Sequence, residues 1–369
     1  MTEVESTARS IDESVAEVVA QALELSPIID GHNDWAWECR ERRDYSVEGL
    51  DIGLTTDTDI ARLRAGRVGA QFWSVFVGEE LVGADAVQGT LEQIDWVYRL
   101  VARYPNDFTI ARSAADIEAA QANGHIACLL GAEGGHSIND SPAVLRMFAR
   151  LGVRYLTLTH LHNTNWADSS TDEPQHGGLT ARGVEYVREL NRLGILVDLS
   201  HVSTATMHAT LDATDAPVIF SHSSCRAITD HPRNVPDDVL LRLGTNGGVL
   251  MITFVPQFLT EEYYAWFVGP KSTAAPEVTI ADVADHIEHA RDVAGIGHIG
   301  LGSDFDGTDE FPSGLDGVDG YPSLLAELAS RGWSALDLAA LAGGNVLRVI
   351  RETDDAFTAA SAGTPILLR

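Results

Sequence analysis

Apolar, β-branched stretches recur along the chain, each followed by a longer segment in which apolar residues return with helical spacing. Eight stand out: Pro27 to His32, Val68 to Val77, Ile126 to Ala132, Val153 to His160, Ile195 to His201, Pro217 to His222, Gly248 to Phe254 and His298 to Asp304. Their near-continuous apolarity suits strands buried on both faces, as in a parallel sheet. The segments between them, among them Glu92 to Tyr104, Leu179 to Leu193, Thr204 to Ala213 and Ile280 to Ala294, carry the amphipathic pattern of surface helices. Eight strand-helix units predict an α/β fold, a (β/α)8 TIM barrel.

Punctuation along the chain agrees. Ser203 stands before Thr204-Ala205-Thr206 as a helix start, another helix opens near Thr180, and Gly194 follows Arg192-Leu193 as a C-cap. Residues 11–25 predict an extra helix within an N-terminal helical extension, 1–25, and the Ala- and Thr-rich segment after Asp354, 354–369, reads as a surface-bound or mobile tail. No internal repeat or linker cuts the sequence, so its 369 residues, 45% hydrophobic, are expected to form one domain spanning 1–369.

Charge then removes some functions. A formal charge of -29, from 54 acidic and 25 basic residues, opposes binding to a phosphate backbone, so no nucleic-acid partner is expected. The acidic Met-Thr-Glu-Val-Glu start lacks the basic segment and apolar core of a secretory signal, and no apolar run reaches the length of a membrane span. A soluble, cytoplasmic protein without a membrane partner is the expectation. Cys39, Cys128 and Cys225 form no framework spacing and read as structural. Lys271, the only lysine, lies in Gly269-Pro270-Lys271-Ser272 and reads as a loop residue, which disfavours P-loop, Schiff-base and pyridoxal chemistry.

Polar motifs fall where the apolar runs end: Asp30-Gly31-His32-Asn33-Asp34, Ala132-Glu133-Gly134-Gly135-His136, Leu158-Thr159-His160, Asp198-Leu199-Ser200-His201, Phe220-Ser221-His222-Ser223 and Ser303-Asp304-Phe305-Asp306-Gly307. In such a barrel the C-terminal strand ends share one rim, so these distant residues can converge. His32 and Asp34, spaced i, i+2, project to the same side of an extended strand and suit one metal ion. Glu133 offers two oxygens that can bridge cations about 3.5–4 Å apart, and His201 and His222 complete a second ion. Two Zn2+ per chain fit this His and carboxylate set, with Mn2+, Fe2+ or Co2+ as substitutes. His136 reads as a loop or supporting residue, His286 and His289 as part of a solvated helix face, His162 as a residue that could reach the pocket mouth, and Asp306 as an acceptor behind the ligands.

At this point the chain resembles the renal or membrane dipeptidase family of zinc peptidases over nearly its whole length. The matching segments are Asp30 to Asp34, Glu133 to Ser137, Tyr155 to His160 with Asn163-Thr164 and Trp166-Ala167-Asp168, Asp198 to Ser203, Phe220 to Ser224, Arg233 to Asp238, Asp304 to Gly307 and Gly344 to Arg348. The resemblance implies the same ligand set and bridge. It further implies that His160 contacts the substrate carbonyl or its oxyanion, that Arg233 receives the substrate's C-terminal carboxylate, and that Asp304 handles protons. Small dipeptides, L-L and also L-D, are the implied substrates, cleaved by a metal-bridging hydroxide in an amidohydrolase-like barrel. Animal relatives are secreted and lipid-anchored, whereas this chain looks like a bacterial-type soluble member. Thr253-Phe254-Val255 also stands where those relatives are expected to carry a Tyr, which alters the pocket wall.

Two rivals remain. Another binuclear barrel hydrolase, a cyclic amidase, lactonase or deaminase, would share the metals, but many of those bridge them with a carbamylated Lys that no strand here supplies. A non-catalytic metal- or ligand-binding protein would be expected to close its site with four ligands, often Cys. A homodimer is the commonest assembly for enzymes of this kind.

Overall fold

The computed structural model describes residues 3–360 and 365. Among them nine parallel strands form, β1 (Ile28–Asn33), β2 (Val68–Ser74), β3 (Phe108–Ile110), β4 (Ile126–Ala132), β5 (Val153–Thr157), β6 (Leu196–Asp198), β7 (Val218–Ser223), β8 (Val249–Ile252) and β9 (Ile299–Leu301). Pairing runs β1-β2-β4-β5-β6-β7-β8-β9 and returns to β1 through Asp30 opposite Leu301, so eight strands close a barrel. These eight are the eight apolar stretches. The ninth, β3, pairs only with the start of β4, Phe108 opposite Ile126. Only Phe108 of its three residues is buried, so no continuous apolar run marks it, unlike the equally short but fully buried β6 and β9.

Strand residues alternate between two apolar layers, as the period of two requires. Ala70, Phe72, Leu129, Tyr155, Leu196, Ile219, Val249 and Met251 share an inner cluster, and Leu130, Leu156, Val197, Phe220, Leu250 and Ile252 pack outward against helices. Residues from helices Ala114–Ala122 and Asn345–Ala360 join the inner cluster. The packed interior leaves the C-terminal rim as the place for polar chemistry.

Helix ends follow the capping chemistry expected from the sequence. Thr180 and Ser203 accept hydrogen bonds from the backbone of Gly183 and Thr206, and Gly194, at φ 67°, closes helix Ala181–Leu193. The N-terminal helix is longer than its pattern indicated, Glu3–Leu25, and buries Val19, Ala22 and Leu23. The C-terminal helix likewise runs past Asp354 to Ala360, with Asp354 paired to Arg154 at 2.7 Å, so the first part of the expected tail is ordered helix. Residues 361–364 and 366–369 lie outside the described part. Among the described residues no helix is long and apolar enough to cross a membrane.

One close approach seats a residue beneath the rim. A Cβ on Gly131 would fall 1.9 Å from the Tyr155 ring, so only glycine leaves that ring its place. Tyr155 is fully buried, and its hydroxyl stands 2.8 Å from His32 Nδ1. Gly131→Ala is therefore expected to lower the unfolding free energy by ~1–3 kcal/mol, the usual cost of overpacking. Urea denaturation reads this directly, and an unchanged midpoint would show that the ring can yield.

Candidate metal centre

Four of the sequence motifs deliver five key side chains directly from the rim: His32 within β1, Asp34 just after it, Glu133 just after β4, His201 after β6 and His222 within β7. His201 and Asp304 reach inward only because their backbones adopt φ of 69° and 68°, a left-handed conformation uncommon outside glycine and enriched at functional sites.

The side chains meet tightly. His32 Nε2 lies 3.1 Å from Asp34 Oδ2 and 3.4 Å from Glu133 Oε2. Glu133 Oε1 faces the other way, 3.1 Å from His201 Nε2 and 3.4 Å from His222 Nε2. Asp304 Oδ1 is 3.7 Å from His32 Nε2, and the His160 ring stacks between Phe76 and His201, at 4.8 and 4.4 Å between centroids. All the sequence-derived ligand candidates thus converge, and donor atoms of His160 and Asp304 also come within 4.8 Å of members of the cluster.

The donor set fits a metal by its own geometry. Asp34 Oδ1 is buried without a hydrogen-bond partner among the described residues, and the Nε2 atoms of His201 and His222 face each other at 2.9 Å, where only one can donate. Burial, with Arg233 and His160, drives the His201 pKa well below the usual imidazole value; burial, with His32 and Arg233, does the same to His222. Both rings are then neutral, the form that binds metals. For Glu133, burial opposes ionisation but the neighbouring His32 charge and hydrogen bonds from His201 and His32 hold the pKa well below the ordinary carboxylate range. Burial pushes Asp304 up to about 7, opposed by His32 and reinforced by Asp34 and Glu133.

Arg233 is 3% exposed. Its Nη1 donates to Ser223 Oγ and its Nη2 to the His222 carbonyl, both at 3.2 Å, and its guanidinium lies 5.2 Å from the Phe258 ring centre. The acidic residues of its own loop are engaged elsewhere, Asp237 with His289 at 2.8 Å and Asp238 with His208 at 3.0 Å. Among the described residues Arg233 therefore has no carboxylate in salt-bridge contact, and it lines the cleft.

That cleft, about 780 Å³, opens over the cluster and is walled by Trp37, Phe76, Val255, Phe258, Tyr263 and Trp266. The sequence pointed to the wall only at Thr253-Phe254-Val255; Trp37 stands on helix Trp35–Arg43, and Phe258, Tyr263 and Trp266 on the helices Pro256–Leu259 and Glu261–Val268, none of which carries a strand-end signal. Lys271 is a loop residue as expected, at φ 49°, yet it also lines the cleft and lies 4.4 Å from the Phe267 ring centre. His162 pairs with Glu79 at 3.3 Å, and His136 bonds to the Val77 carbonyl. Asp306 exchanges bonds with Asp57, accepting from its backbone at 2.8 Å, and so braces a loop. The solvated reading of His286 is corrected: it is fully buried, with Nδ1 3.0 Å from the Cys225 backbone nitrogen and Nε2 2.9 Å from the Leu259 carbonyl. His289 does lie at the helix surface. All three cysteines are buried and free.

Known proteins share this frame. A probable dipeptidase, PvdM from Pseudomonas aeruginosa, superposes with a TM-score of 0.83 at 22% identity, covering 93% of this chain and 99% of that one. A metallo peptidase from Rhodobacter sphaeroides, liganded with a phosphinate mimic of L-Ala-D-Ala, superposes with a TM-score of 0.80 at 24% identity, covering 89% and 99%. In sequence, the dipeptidase verJ of Clonostachys rogersoniana is 41% identical over 358 residues, 94% of this chain and 88% of that protein. Dipeptidase 3 of Mus musculus is 40% identical over 356 residues, 94% and 69%. The family model for membrane dipeptidases matches residues 16–362. This chain belongs to the membrane dipeptidase family, peptidase family M19, and is a metal-dependent dipeptidase.

Proposed function

We propose that the rim cluster holds two zinc ions and hydrolyses free dipeptides, L-L and L-D. His32 and Asp34 would hold one ion and His201 and His222 the other, with Glu133 placed to serve both. The observation that carries this reading is the orientation of Glu133, whose two oxygens face opposite groups of ligands. Mn2+, Fe2+ or Co2+ suit the same donors. Such a pair of ions supplies Lewis acidity and lowers the pKa of a water from 15.7 toward ~7.

The protein's own groups do the rest. Asp304, beside His32, takes the proton of the attacking water and returns it to the leaving amine, a task suited to a carboxyl whose pKa is raised to about 7. His160 borders His201 and lines the cleft, where it donates to the oxyanion. Arg233 receives the free C-terminal carboxylate in a charge-assisted pair, which a longer peptide would replace with a neutral amide. The dipeptide mimic in the Rhodobacter sphaeroides neighbour supports an L-D substrate.

The test is release of amino acids from L-L and L-D dipeptides, beside N-blocked, C-amidated, tripeptide, cyclic amide and lactone controls, on protein of known metal content. Turnover confined to free dipeptides and lost on chelation is expected; turnover of the cyclic substrates alone would overturn the substrate assignment. Arg233→Met is expected to raise KM by about 10- to 100-fold, the worth of a hydrogen bond to a charged group. Discrimination against C-amidated dipeptides should fall with it, and unchanged discrimination would remove Arg233 from substrate binding.

A further inference from the structure

We propose that Asp198 and Ser221 form a relay that holds the His222 proton on Nδ1, leaving Nε2 free to bind metal, so that both are positioning residues for the reaction. This rests on the reading of His222 as a metal ligand, but the relay itself is set by hydrogen bonds within the protein.

The relay begins at a buried carboxylate. Asp198 is fully buried at the end of β6. Its Oδ1 accepts from the backbone nitrogens of Ser200 at 3.1 Å and Ser221 at 2.8 Å. Its Oδ2 accepts from Thr157 Oγ1 at 2.5 Å and Ser221 Oγ at 2.7 Å. An ionised carboxylate only accepts, so the Ser221 hydroxyl must spend its single proton here. The other acceptor near that proton, Ser200 Oγ, is neutral and 3.4 Å away, and the shorter charge-assisted bond wins.

Ser221 Oγ also stands 2.9 Å from His222 Nδ1. With its proton committed to Asp198, the hydroxyl can only accept, which requires the imidazole proton on Nδ1. The lone pair then sits on Nε2, which faces Glu133 Oε1 and His201 Nε2. Histidine ligands are commonly fixed by a hydrogen bond at the other ring nitrogen. Here a serine stands between carboxylate and imidazole, because the two side chains come from adjacent parallel strands, β6 and β7. His201 differs: its Nδ1 is buried with no hydrogen-bond partner among the described residues. His222, unlike His201, has its tautomer set before any metal arrives.

Asp198→Asn tests the direction of the relay. The two backbone N–H groups keep the amide oxygen at the Oδ1 position, so the amide NH2 points at Ser221 and Thr157. Ser221 then accepts from the amide and donates to Nδ1, which moves the imidazole proton to Nε2. In metal-free protein labelled with 15N-histidine, the wild-type His222 signals should report a proton on Nδ1 and those of Asp198→Asn a proton on Nε2. Zinc affinity at one of the two sites should fall by about 10- to 100-fold, the usual effect of losing such a partner. Ser221→Ala, which leaves Asp198 three of its four donors, should yield mixed tautomers and a smaller loss. Thr157→Val removes a donor to the same carboxylate without touching the relay, and should leave tautomer and affinity unchanged. A wild-type proton on Nε2, an unchanged tautomer in Asp198→Asn, or an equal effect of Thr157→Val would overturn the relay. Two tightly bound zinc ions in His222→Ala would instead overturn the ligand assignment, with the tautomer result standing apart.

Discussion

Glu133→Ala is expected to strip the protein of its metals and to lower kcat/KM by ~10³-fold or more, at least the loss seen when one well-placed electrostatic group is removed from an active site. The size follows from position. Glu133 stands within 3.4 Å of His32, His201 and His222 together, so its loss leaves two separate groups of ligands with too few donors each. Elemental analysis after dialysis, together with kcat/KM, provides the check. A variant that keeps both metals and more than a tenth of the activity would show that Glu133 does not bridge. Ser74, whose hydroxyl donates to Glu133 Oε2 at 3.2 Å, provides a milder companion: Ser74→Ala should weaken metal retention without abolishing it.

Asp304→Asn should behave in the opposite way toward metal. The amide keeps the shape of the carboxyl but cannot accept and return a proton, so metal content should stay at the wild-type level while kcat falls by ~10²–10⁴-fold, the range attributed to a general acid-base group. Full activity would remove Asp304 from proton transfer. The metal-free protein offers a second readout. Burial raises the Asp304 pKa from 3.8 to about 7, so the folded state binds the proton more tightly than the unfolded chain. Stability from this group is complete below the unfolded value and is lost as pH rises through about 7, because the ionised carboxylate is the disfavoured form inside. Metal-free Asp304→Asn should therefore unfold at a higher temperature than metal-free wild type above pH 7, and the gap should close as pH falls toward 3.8. A gap independent of pH would assign the difference to packing instead.

Strand positions were legible because both faces are buried. Gly248 to Phe254 and Ile195 to His201 read as continuous apolar runs, and the same burial makes them barrel strands. Where burial is partial or comes from distant contacts, legibility failed: β3 buries only Phe108 of its three residues, and the helix through Asp354 continues because Thr353 is buried and Asp354 pairs with Arg154, far away in sequence. His286 shows the limit of periodicity. Its spacing from His289 fits a solvated face, but Leu259 and Cys225 cover the helix there, and no pattern within residues 280–294 records what lies above it.

The sequence by itself determined the barrel and the convergence of His32, Asp34, Glu133, His201, His222 and Asp304, since the strand period, burial and the shared C-terminal rim leave little choice once eight strands run parallel. Tertiary structure alone decided how these groups are held. Strand register sets Tyr155 opposite Gly131 and beneath His32, and lays Asp198 against Ser221 one strand away. It also decided that Arg233 turns from its own acidic loop toward the cleft. These are distances of 2.7–3.2 Å between residues brought together by register and loop path, and hydrogen bonds at that range cannot be read from spacing along a chain.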